Sequence, residues 1–253
     1  MKLKRLQSNE EKIMTYSDEE FQSYILAKTR NFLSSFRSSL YENVTISKMA
    51  GLAFVCGPYR KVINVVDLGG GAGIDFFIAK ELFGSNLKWD CIETDVMCKI
   101  ASREKLDPLL KFISMRKFLI QKTTNEFSLY SNSSLQYIPH AIDSFNKVLL
   151  KKPIRVAILR TPFVLSGDEV NLVQSSKLSK NGPQLKNFPL MHSSVQNSVT
   201  ILKLQELREV LNKNGYEIIC ENVQDGNFAY KQRVPRSWKS SIKTIDILAR
   251  RLD

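Results

Sequence analysis

The sequence has 253 residues, of which 43% are hydrophobic and 25% are charged. These ordinary proportions suit one domain with a sizeable core, and they exclude disordered, fibrous and disulfide-stapled classes of protein. The 37 Lys and Arg residues outnumber the 25 Asp and Glu residues, and the net charge of +12 favours an anionic partner: nucleic acid, anionic lipid or a phosphorylated substrate.

The sequence has little that indicates membrane insertion or metal binding. Its longest uncharged apolar run, 49–59, is much shorter than the roughly 20 residues of a membrane-spanning helix. The basic N-terminal residues are not followed by an apolar stretch, so we expect a cytoplasmic protein. The four cysteines form no C-x-x-C pair, and only two histidines accompany them, so no structural zinc site is predicted.

Two helices are predicted before residue 60. S-D-E-E at 17–20 has the spacing of a capping box, and the apolar residues that follow predict a helix from residue 18 into the high thirties. A second helix is expected over 46–55, before the helix-breaking pair Gly57 and Pro58. We assign 1–60 to an N-terminal helical cap.

From 61 to 230 the predicted strands and helices alternate. The strands lie at 62–68, 87–92, 112–113, 127–131, 154–159, 215–220 and 227–230. The helices lie at 74–83, 96–106, 141–150 and 202–211. Such alternation predicts an α/β domain in which a parallel sheet has helices on both faces.

Two segments depart from this pattern. Residues 166–198 are poor in apolar side chains and rich in Ser, Asn, Lys, Gly and Pro, so we expect a long irregular loop. The segment 231–253 carries seven basic and two acidic residues, and a helix there would align Trp238, Ile242, Ile245 and Leu252. We expect a basic amphipathic tail that packs on the domain or contacts an anionic membrane at its inner face.

A glycine-rich loop, D-L-G-G-G-A-G at 67–73, follows the first strand of the domain. Its alternate glycines are Gly69, Gly71 and Gly73, which permit a sharp turn and close approach of a ligand. The spacing differs from the G-x-G-x-x-G of dinucleotide-binding loops, because Ile74 occupies the last position. Asp67 would repel a pyrophosphate but can accept hydrogen bonds from a cofactor amine. The loop therefore favours S-adenosylmethionine over NAD.

The next strand ends in W-D-C-I-E at 89–93, which places Glu93 at the carboxyl edge of the sheet. Ligands of doubly wound sheets bind at this edge. A carboxylate here can accept hydrogen bonds from both ribose hydroxyls of an adenosyl cofactor, so we assign Glu93 to cofactor binding. Asp90 and Asp95 are alternatives for that role.

The glycine loop resembles motif I of class I S-adenosylmethionine-dependent methyltransferases. Three further segments narrow the resemblance: S-N-S-S-L-Q-Y-I at 131–138, R-T-P-F at 160–163 and N-F-P-L at 187–190. The combination is similar to a bacterial group of methyltransferase-like proteins with S-S-x-L-Q-Y-like and R-T-P-F elements, often encoded among genes for surface-polysaccharide assembly. The resemblance covers about 43–223.

This resemblance implies a fold, a cofactor and a reaction. The fold is a Rossmann-like class I methyltransferase sheet of seven mostly parallel strands, with helices on both faces and an N-terminal helical cap. The cofactor is S-adenosyl-L-methionine. The reaction is O-methylation of a sugar, glycan or glycolipid intermediate of surface-polysaccharide biosynthesis.

The carboxyl edge supplies further candidate site residues. We assign Ser133 and Gln136 to the cofactor and Tyr137 to the acceptor side, although Ser133 can instead cap a helix that Tyr137 begins. Arg160 ends the fifth strand, where a guanidinium suits a carboxylate or phosphate on the substrate. Its alternative partner is a buried acid such as Asp67 or Asp168.

A hydroxyl acceptor also requires a general base. His192 lies in the loop expected to overhang the cofactor and is the candidate, with His140 as the alternative, and either can instead be a surface or capping residue. The third strand is followed by M-R-K-F rather than by an acid, so we expect backbone groups to recognise adenine.

Two other functions are consistent with the sequence. The positive charge suits an RNA methyltransferase, although no N-P-P-[YF]-type sequence follows the fourth strand and no aromatic and basic RNA-binding module is evident. The second of these functions is that of a non-catalytic scaffold that keeps its cofactor pocket.

Overall fold

The computed structural model describes residues 13–34, 45–57, 62–84, 86–122, 125–183, 193–224 and 241–252. The helices in these ranges are α1 (Glu19–Ser34), α2 (Ile46–Cys56), α3 (Ile74–Phe83), α4 (Asp95–Glu104), α5 (Met115–Ile120), α6 (Ala141–Leu149) and α7 (Leu204–Lys213). The strands are β1 (Ile13–Met14), β2 (Ile63–Leu68), β3 (Leu87–Glu93), β4 (Leu110–Ser114), β5 (Ser128–Asn132), β6 (Arg155–Val164), β7 (Val170–Lys177), β8 (Ser194–Lys203), β9 (Tyr216–Val223) and β10 (Ile242–Arg251).

The main sheet has the strand order β4-β3-β2-β5-β6-β10-β9. The pairs from β4 to β6 are parallel, whereas β10 is antiparallel to both β6 and β9. β8 also pairs with β6, and with β1 and β7 it extends the sheet to ten strands in the described residues. The mostly parallel sheet that the sequence predicts is confirmed, but the predicted number of seven strands is not. The strand order reverses between β2 and β5, and ligands of open α/β sheets bind at the carboxyl ends of the strands flanking such a reversal.

Helices cover both faces of this sheet. On one face, Phe145 of α6 and Leu207 of α7 are fully buried against β5 and β6 in a cluster that also includes Phe118 of α5. On the other face, the apolar side chains of α2 and α3 pack against β2 and β3. Full burial of one such side chain contributes about 1.5–3 kcal/mol, so both layers are needed to hold the sheet.

The N-terminal segment adds a third apolar cluster beside the glycine loop. β1 pairs with β8, and α1 packs on α4. Ala72 of the glycine loop is buried in this cluster together with Phe21 and Leu26 of α1. The α1 helix therefore lies against the loop, whereas α2 belongs to the core of the sheet.

The prediction of an irregular loop over 166–198 is wrong for most of its described part. Residues 170–177 form β7, which pairs with β8 as an antiparallel ladder, and the end of β8 pairs with β6. Polar residues alternate with apolar ones such as Val170 and Val199, which face a small core. The high Ser and Asn content hid this alternation, and cross-strand pairing outweighed weak local propensity. The N-F-P-L segment lies outside the described residues.

The prediction of a helical tail is wrong for the residues of β10. This strand lies between β6 and β9, and Ile242 and Ile245 are buried. They therefore cannot form the exposed apolar face of a membrane-contacting helix. The spacing of these apolar residues fits a helix face as well as a twisted strand. The segment is a strand because it pairs with β6 on one side and β9 on the other. Trp238 and the strand predicted at 227–230 lie outside the described residues.

Other predicted elements agree with the structure. The helix at 74–83 and the buried strands of the 62–159 region are confirmed, with shifts of a few residues at their ends. The helix α5 directly after β4 was not predicted. No helix within the described ranges combines the length and apolar character that crossing a bilayer requires.

Candidate functional site

The glycine loop turns sharply between β2 and α3 because its alternate glycines adopt left-handed backbone angles. The φ values of Gly69, Gly71 and Gly73 are +76°, +57° and +74°. A Cβ on Gly69 would lie 2.6 Å from Ser134 Cβ, and one on Gly73 would lie 2.7 Å from Leu110 Cδ2. At Gly71, in contrast, nothing lies within 4 Å of that position. The first and third glycines thus pack on protein, and the second is open on the side where a Cβ would lie.

Asp67 lies one residue before the end of β2 and is almost completely buried, with 1% of its surface exposed. Its Oδ2 accepts a hydrogen bond from Trp89 Nε1 at 3.1 Å, and its Oδ1 has no partner among the described residues. Burial, together with the charge of Asp75, raises the pKa of this carboxyl well above its usual value. A buried acceptor without a donor is costly unless a ligand supplies one.

Glu93 ends β3 and contacts the glycine loop directly. Its Oε1 accepts a hydrogen bond from the Gly71 N–H at 2.7 Å, and its Oε2 accepts one from the Thr94 N–H at 2.9 Å. Burial raises the pKa of Glu93, while these two N–H groups act in the opposite direction. The carboxylate therefore lies beside the open side of Gly71, at the carboxyl edge of the sheet.

Ser131 and Ser134 hold the beginning of the loop in place. Ser134 Oγ donates to the Leu68 carbonyl at 2.6 Å and lies 2.7 Å from Ser131 Oγ. Both side chains are buried. This cluster explains why the position opposite Ser134 must be Gly69, because no space remains for a side chain.

We expect Gly69→Ala to lower the free energy of unfolding by about 2 kcal/mol, because the added methyl group combines left-handed strain with a contact against Ser134. Gly215→Ala is the matched control, since φ there is +79° but nothing lies within 4 Å of the Cβ position. Urea unfolding of both variants measures the difference. Equal losses would show that the contact with Ser134 does not matter.

Ser133 and Gln136 lie together after β5. Ser133 has a left-handed φ of +57°, and its N–H donates to the Leu159 carbonyl at 2.9 Å. Gln136 Nε2 donates to the Ser133 carbonyl at 3.0 Å, whereas the buried Gln136 Oε1 has no partner among the described residues. Gln136 therefore supplies a second acceptor without a donor near the end of β5.

Two tyrosines, Tyr16 and Tyr137, are in contact near this edge of the sheet. The rings of Tyr16 and Tyr137 are 5.1 Å apart and perpendicular, and Tyr137 Oη donates to Gln174 Oε1 at 2.7 Å. Burial raises the pKa of Tyr16, and the neighbouring Tyr137 and the charge of Glu93 raise it further. The Tyr16 N–H also donates to Asn197 of β8 at 2.9 Å. The pair thus links the N-terminal segment, the Glu93 region and the β7–β8 ladder.

Asp75, in the first turn of α3, is the centre of a polar network. Its Oδ1 pairs with Lys48 Nζ at 2.8 Å, and its Oδ2 accepts hydrogen bonds from Tyr130 Oη at 2.9 Å and Asn132 Nδ2 at 2.6 Å. Burial alone would raise the pKa of Asp75, but the Lys48 ammonium and these donors lower it below its usual value. Asp75 is therefore held as a carboxylate beside the glycine loop.

Arg160 is connected to this network through Asn132. Arg160 Nε donates to Asn132 Oδ1 at 2.8 Å, so Asn132 lies between Arg160 and Asp75. The Arg160 backbone is left-handed, with φ of +48°, and its N–H donates to Asp246 Oδ1 of β10 at 2.7 Å. The expected alternative partner Asp168 pairs instead with Lys203 at 3.4 Å.

The structure thus brings most of the predicted site residues to one edge. The residues at or just after the carboxyl ends of β2, β3 and β5 are Asp67, Gly69, Gly71, Gly73, Glu93, Ser133, Gln136 and Tyr137. The prediction that Arg160 ends its strand is wrong, because β6 continues to Val164, and Arg160 is joined to this edge through Asn132 at the end of β5. His140 is an exposed residue at the position before α6, and its side chain makes no capping hydrogen bond, as in the surface alternative. His192 lies outside the described residues. Asp90 lines a separate cavity with Lys88 and Lys111.

Sequence reasoning missed several residues of the site, above all Asp75, Lys48, Asn132 and Asp246. An acid in the first turn of a helix is ordinary, so Asp75 gave no distinct signal. Lys48 is the only charged residue of α2, and a single charge in an apolar helix was the available hint. Identifying Asp246 as a site residue would have required the knowledge that β10 pairs with β6.

No protein-family model matches this sequence, and no significant relative was found among curated proteins. Solved structures do match. The O-methyltransferase from the trans-AT PKS multienzyme of Brevibacillus brevis, in complex with S-adenosyl-L-homocysteine, has 12% identity and a TM-score of 0.54 over 91% of this chain and 79% of that chain.

Two further structures are similar. The provisionally named sarcosine dimethylglycine methyltransferase from Galdieria sulphuraria has 14% identity and a TM-score of 0.52, covering 87% of each chain. The N-terminal domain of EvdMO1, solved with S-adenosylhomocysteine bound, has 12% identity and a TM-score of 0.50, covering 84% of each chain. The chain therefore has the Rossmann-like class I methyltransferase fold, and the predicted fold is confirmed.

Proposed function

We propose that this protein is an S-adenosylmethionine-dependent methyltransferase that methylates a hydroxyl of a sugar or of a glycan or glycolipid intermediate of surface-polysaccharide biosynthesis. One observation carries the cofactor assignment. Gly71, whose Cβ position is open, donates its N–H to Glu93 at the strand end, beside a buried Asp67 that lacks one donor. This combination suits an adenosyl group with an amino-acid tail.

The residues fit such a cofactor in three respects. The unpartnered Oδ1 of Asp67 can accept a hydrogen bond from the ammonium group, directly or through water. Each oxygen of Glu93 accepts one N–H and keeps a further acceptor site for a ribose hydroxyl. The bare side of Gly71 leaves room for close approach. Ser133 and Gln136 extend the same edge and are proposed as further contacts.

When bound, this cofactor supplies an electrophilic methyl group on a sulfonium. The protein's contribution is to align the acceptor oxygen with that methyl carbon, and alignment of this kind can contribute about 7–11 kcal/mol. Tyr16 and Tyr137 close the acceptor side and limit access of water. The hydrogen bond from Tyr137 Oη to Gln174 holds this ring in place. We propose His192 as the base that removes the hydroxyl proton.

Thermal unfolding with added ligand tests the cofactor assignment. At 100 times its Kd, S-adenosylhomocysteine should stabilise the protein by about 2.7 kcal/mol, which corresponds to about 5–11 °C in Tm. NAD at the same concentration should give no shift. Glu93→Gln should lose most of the shift, because only one carbonyl oxygen remains for the ribose.

Asp90→Asn is the matched control for Glu93→Gln. Asp90 lies on the same strand but faces the separate cavity, so the shift produced by S-adenosylhomocysteine should stay intact. A wild-type protein that S-adenosylhomocysteine does not stabilise would contradict the proposal. Transfer of labelled methyl groups to nucleotide-linked or lipid-linked sugars, compared with RNA, then tests the acceptor class.

A further inference from the structure

We propose that the acceptor carries an oxyanion, a phosphate or a carboxylate, which the Arg160 guanidinium binds, and that Asn132 and Asp246 are positioning residues for that guanidinium. The inference rests on the proposed function and deepens it by naming the charge of the acceptor. Three groups of observations support it: the backbone of Arg160, the contacts of its side chain and the balance of charge around it.

The backbone at Arg160 is strained and held from outside. Between the pairs Thr161–Ile245 and Ile158–Ile247, β6 contributes two residues opposite the single Asp246 of β10, which defines a β-bulge. Asp246 Oδ1 accepts from the Arg160 N–H, and Gln224 Nε2 lies 2.9 Å from each Asp246 oxygen. Bulges beside active sites redirect side chains, and strained residues persist only where their surroundings fix them.

The side chain of Arg160 is held at one atom only. Its Nε donates to Asn132 at 2.8 Å, and within the described part of the chain that is its one side-chain hydrogen bond. A guanidinium has five N–H donors, so the two terminal nitrogens retain four. A planar pair of nitrogens matches the two oxygens of a carboxylate or phosphate in a bidentate arrangement. Fixing Nε leaves this pair oriented for a ligand.

No acid among the described residues forms an ion pair with the Arg160 guanidinium, although its charge, after that of Lys48, helps to lower the pKa of Asp75. Asp75 is already paired with Lys48, and the exposed fractions of the two side chains are 12% and 9%. Arg160 itself contacts Asn132, a neutral group. A partly buried cation beside a neutral amide is favourable when an anion binds to it. Since Asp75 follows Gly73 by two residues, that anion would lie close to the glycine loop.

Calorimetric titration of the full chain, saturated with S-adenosylhomocysteine, tests this proposal with three probes: glucose 1-phosphate, glucuronate and glucose. We expect at least one anionic probe to bind at least tenfold more tightly than glucose, and the two anions distinguish phosphate from carboxylate. Arg160→Gln should weaken the binding of that anion at least tenfold and change the Kd of S-adenosylhomocysteine by less than threefold. Arg160→Lys should recover part of the affinity, because it keeps the charge without the bidentate geometry.

Arg250→Gln is the matched control. It removes the same charge from the same sheet, but Arg250 is exposed, pairs with Glu217 at 2.8 Å and lies opposite Arg155 at the other edge. Unchanged anion binding in this variant excludes an effect of net charge. Equal binding of glucose and the anions by the wild type, or equal losses in Arg160→Gln and Arg250→Gln, would overturn the inference while leaving the cofactor assignment intact.

The positioning role of Asp246 has a separate readout. Asp246→Ala should weaken the binding of the anion, because the acceptor of the Arg160 N–H is lost. The affinity for S-adenosylhomocysteine should stay unchanged. Asp246→Asn keeps one oxygen in that place and should restore anion binding. Failure of Asp246→Asn to restore what Asp246→Ala loses would contradict a role based on this hydrogen bond. Absence of any binding of S-adenosylhomocysteine by the wild type would instead overturn the proposed function and this inference together.

Discussion

Asp67→Asn is expected to abolish most of the stabilisation by S-adenosylhomocysteine and yet to raise the Tm of the ligand-free protein at pH values where Asp67 is ionised. The charged hydrogen bond to the ligand's ammonium is worth about 1.5–3 kcal/mol, so the Kd should rise about 10- to 150-fold. In the ligand-free protein, the ionised Asp67 is buried with one oxygen unpaired, and an amide removes that buried charge.

The raised pKa of Asp67 determines how the Tm difference between Asp67→Asn and the wild type changes with pH. The pKa of Asp67 is raised by burial and then by Asp75, so its favourable contribution is complete below the unfolded pKa and is lost as pH rises through the folded pKa. The Tm difference between Asp67→Asn and the wild type should therefore grow with pH. Asp168→Asn, whose parent side chain is 95% exposed, should show no such trend. A difference that shrinks as pH rises would contradict this account.

Lys48→Met is expected to lower the free energy of unfolding by about 3–5 kcal/mol, because it leaves the buried Asp75 carboxylate without its counter-charge. In a protein of this size that corresponds to a loss of about 6–20 °C in Tm. Arg208→Met is the matched control. Its ion pair with Glu221 is more exposed, at 43% and 24%, and its loss should cost less than about 1 kcal/mol.

Two further measurements separate charge from packing in Lys48→Met. The pKa of Asp75 is lowered in the wild type, and without Lys48 burial should raise it, so the destabilisation should decrease as pH falls and Asp75 takes up a proton. The double variant Lys48→Met/Asp75→Asn should recover part of the lost stability at neutral pH. No recovery would mean that Lys48 acts through packing alone.

The parallel part of the fold could be predicted because local pattern and tertiary structure agree there. Residues such as Val65 and Val66 are buried on both faces of β2, which produces the continuous apolar run of a central strand. The position of Glu93 opposite the glycine loop followed from the same logic, since parallel strands end at one edge. The separation of Glu93 from the glycine loop along the chain leaves room for one helix and one strand, and this separation indicated that both lie at the same edge.

The antiparallel part could not be predicted for a physical reason. β10 lies between two strands distant in sequence, and its apolar residues Ile242 and Ile245 fit a helix equally well. The β7–β8 ladder is half polar and is stabilised by its partner strands. The contact of Arg160 with Asp246 depends on that long-range pairing, and the contact of Lys48 with Asp75 depends on the packing of α2 against α3, so no local motif indicates either.

The hydrogen bond between Arg160 and Asp246 joins residues that are 86 positions apart, and this separation sets an order of events during synthesis. At about 5–20 residues per second, the carboxylate leaves the ribosome roughly 4–17 s after the arginine that it fixes. Until then, a nascent sheet lacks one of its inner strands, and the left-handed residue within β6 has no acceptor to hold it. If Arg160 binds the acceptor as proposed, that capacity would arise only after β10 has inserted between β6 and β9.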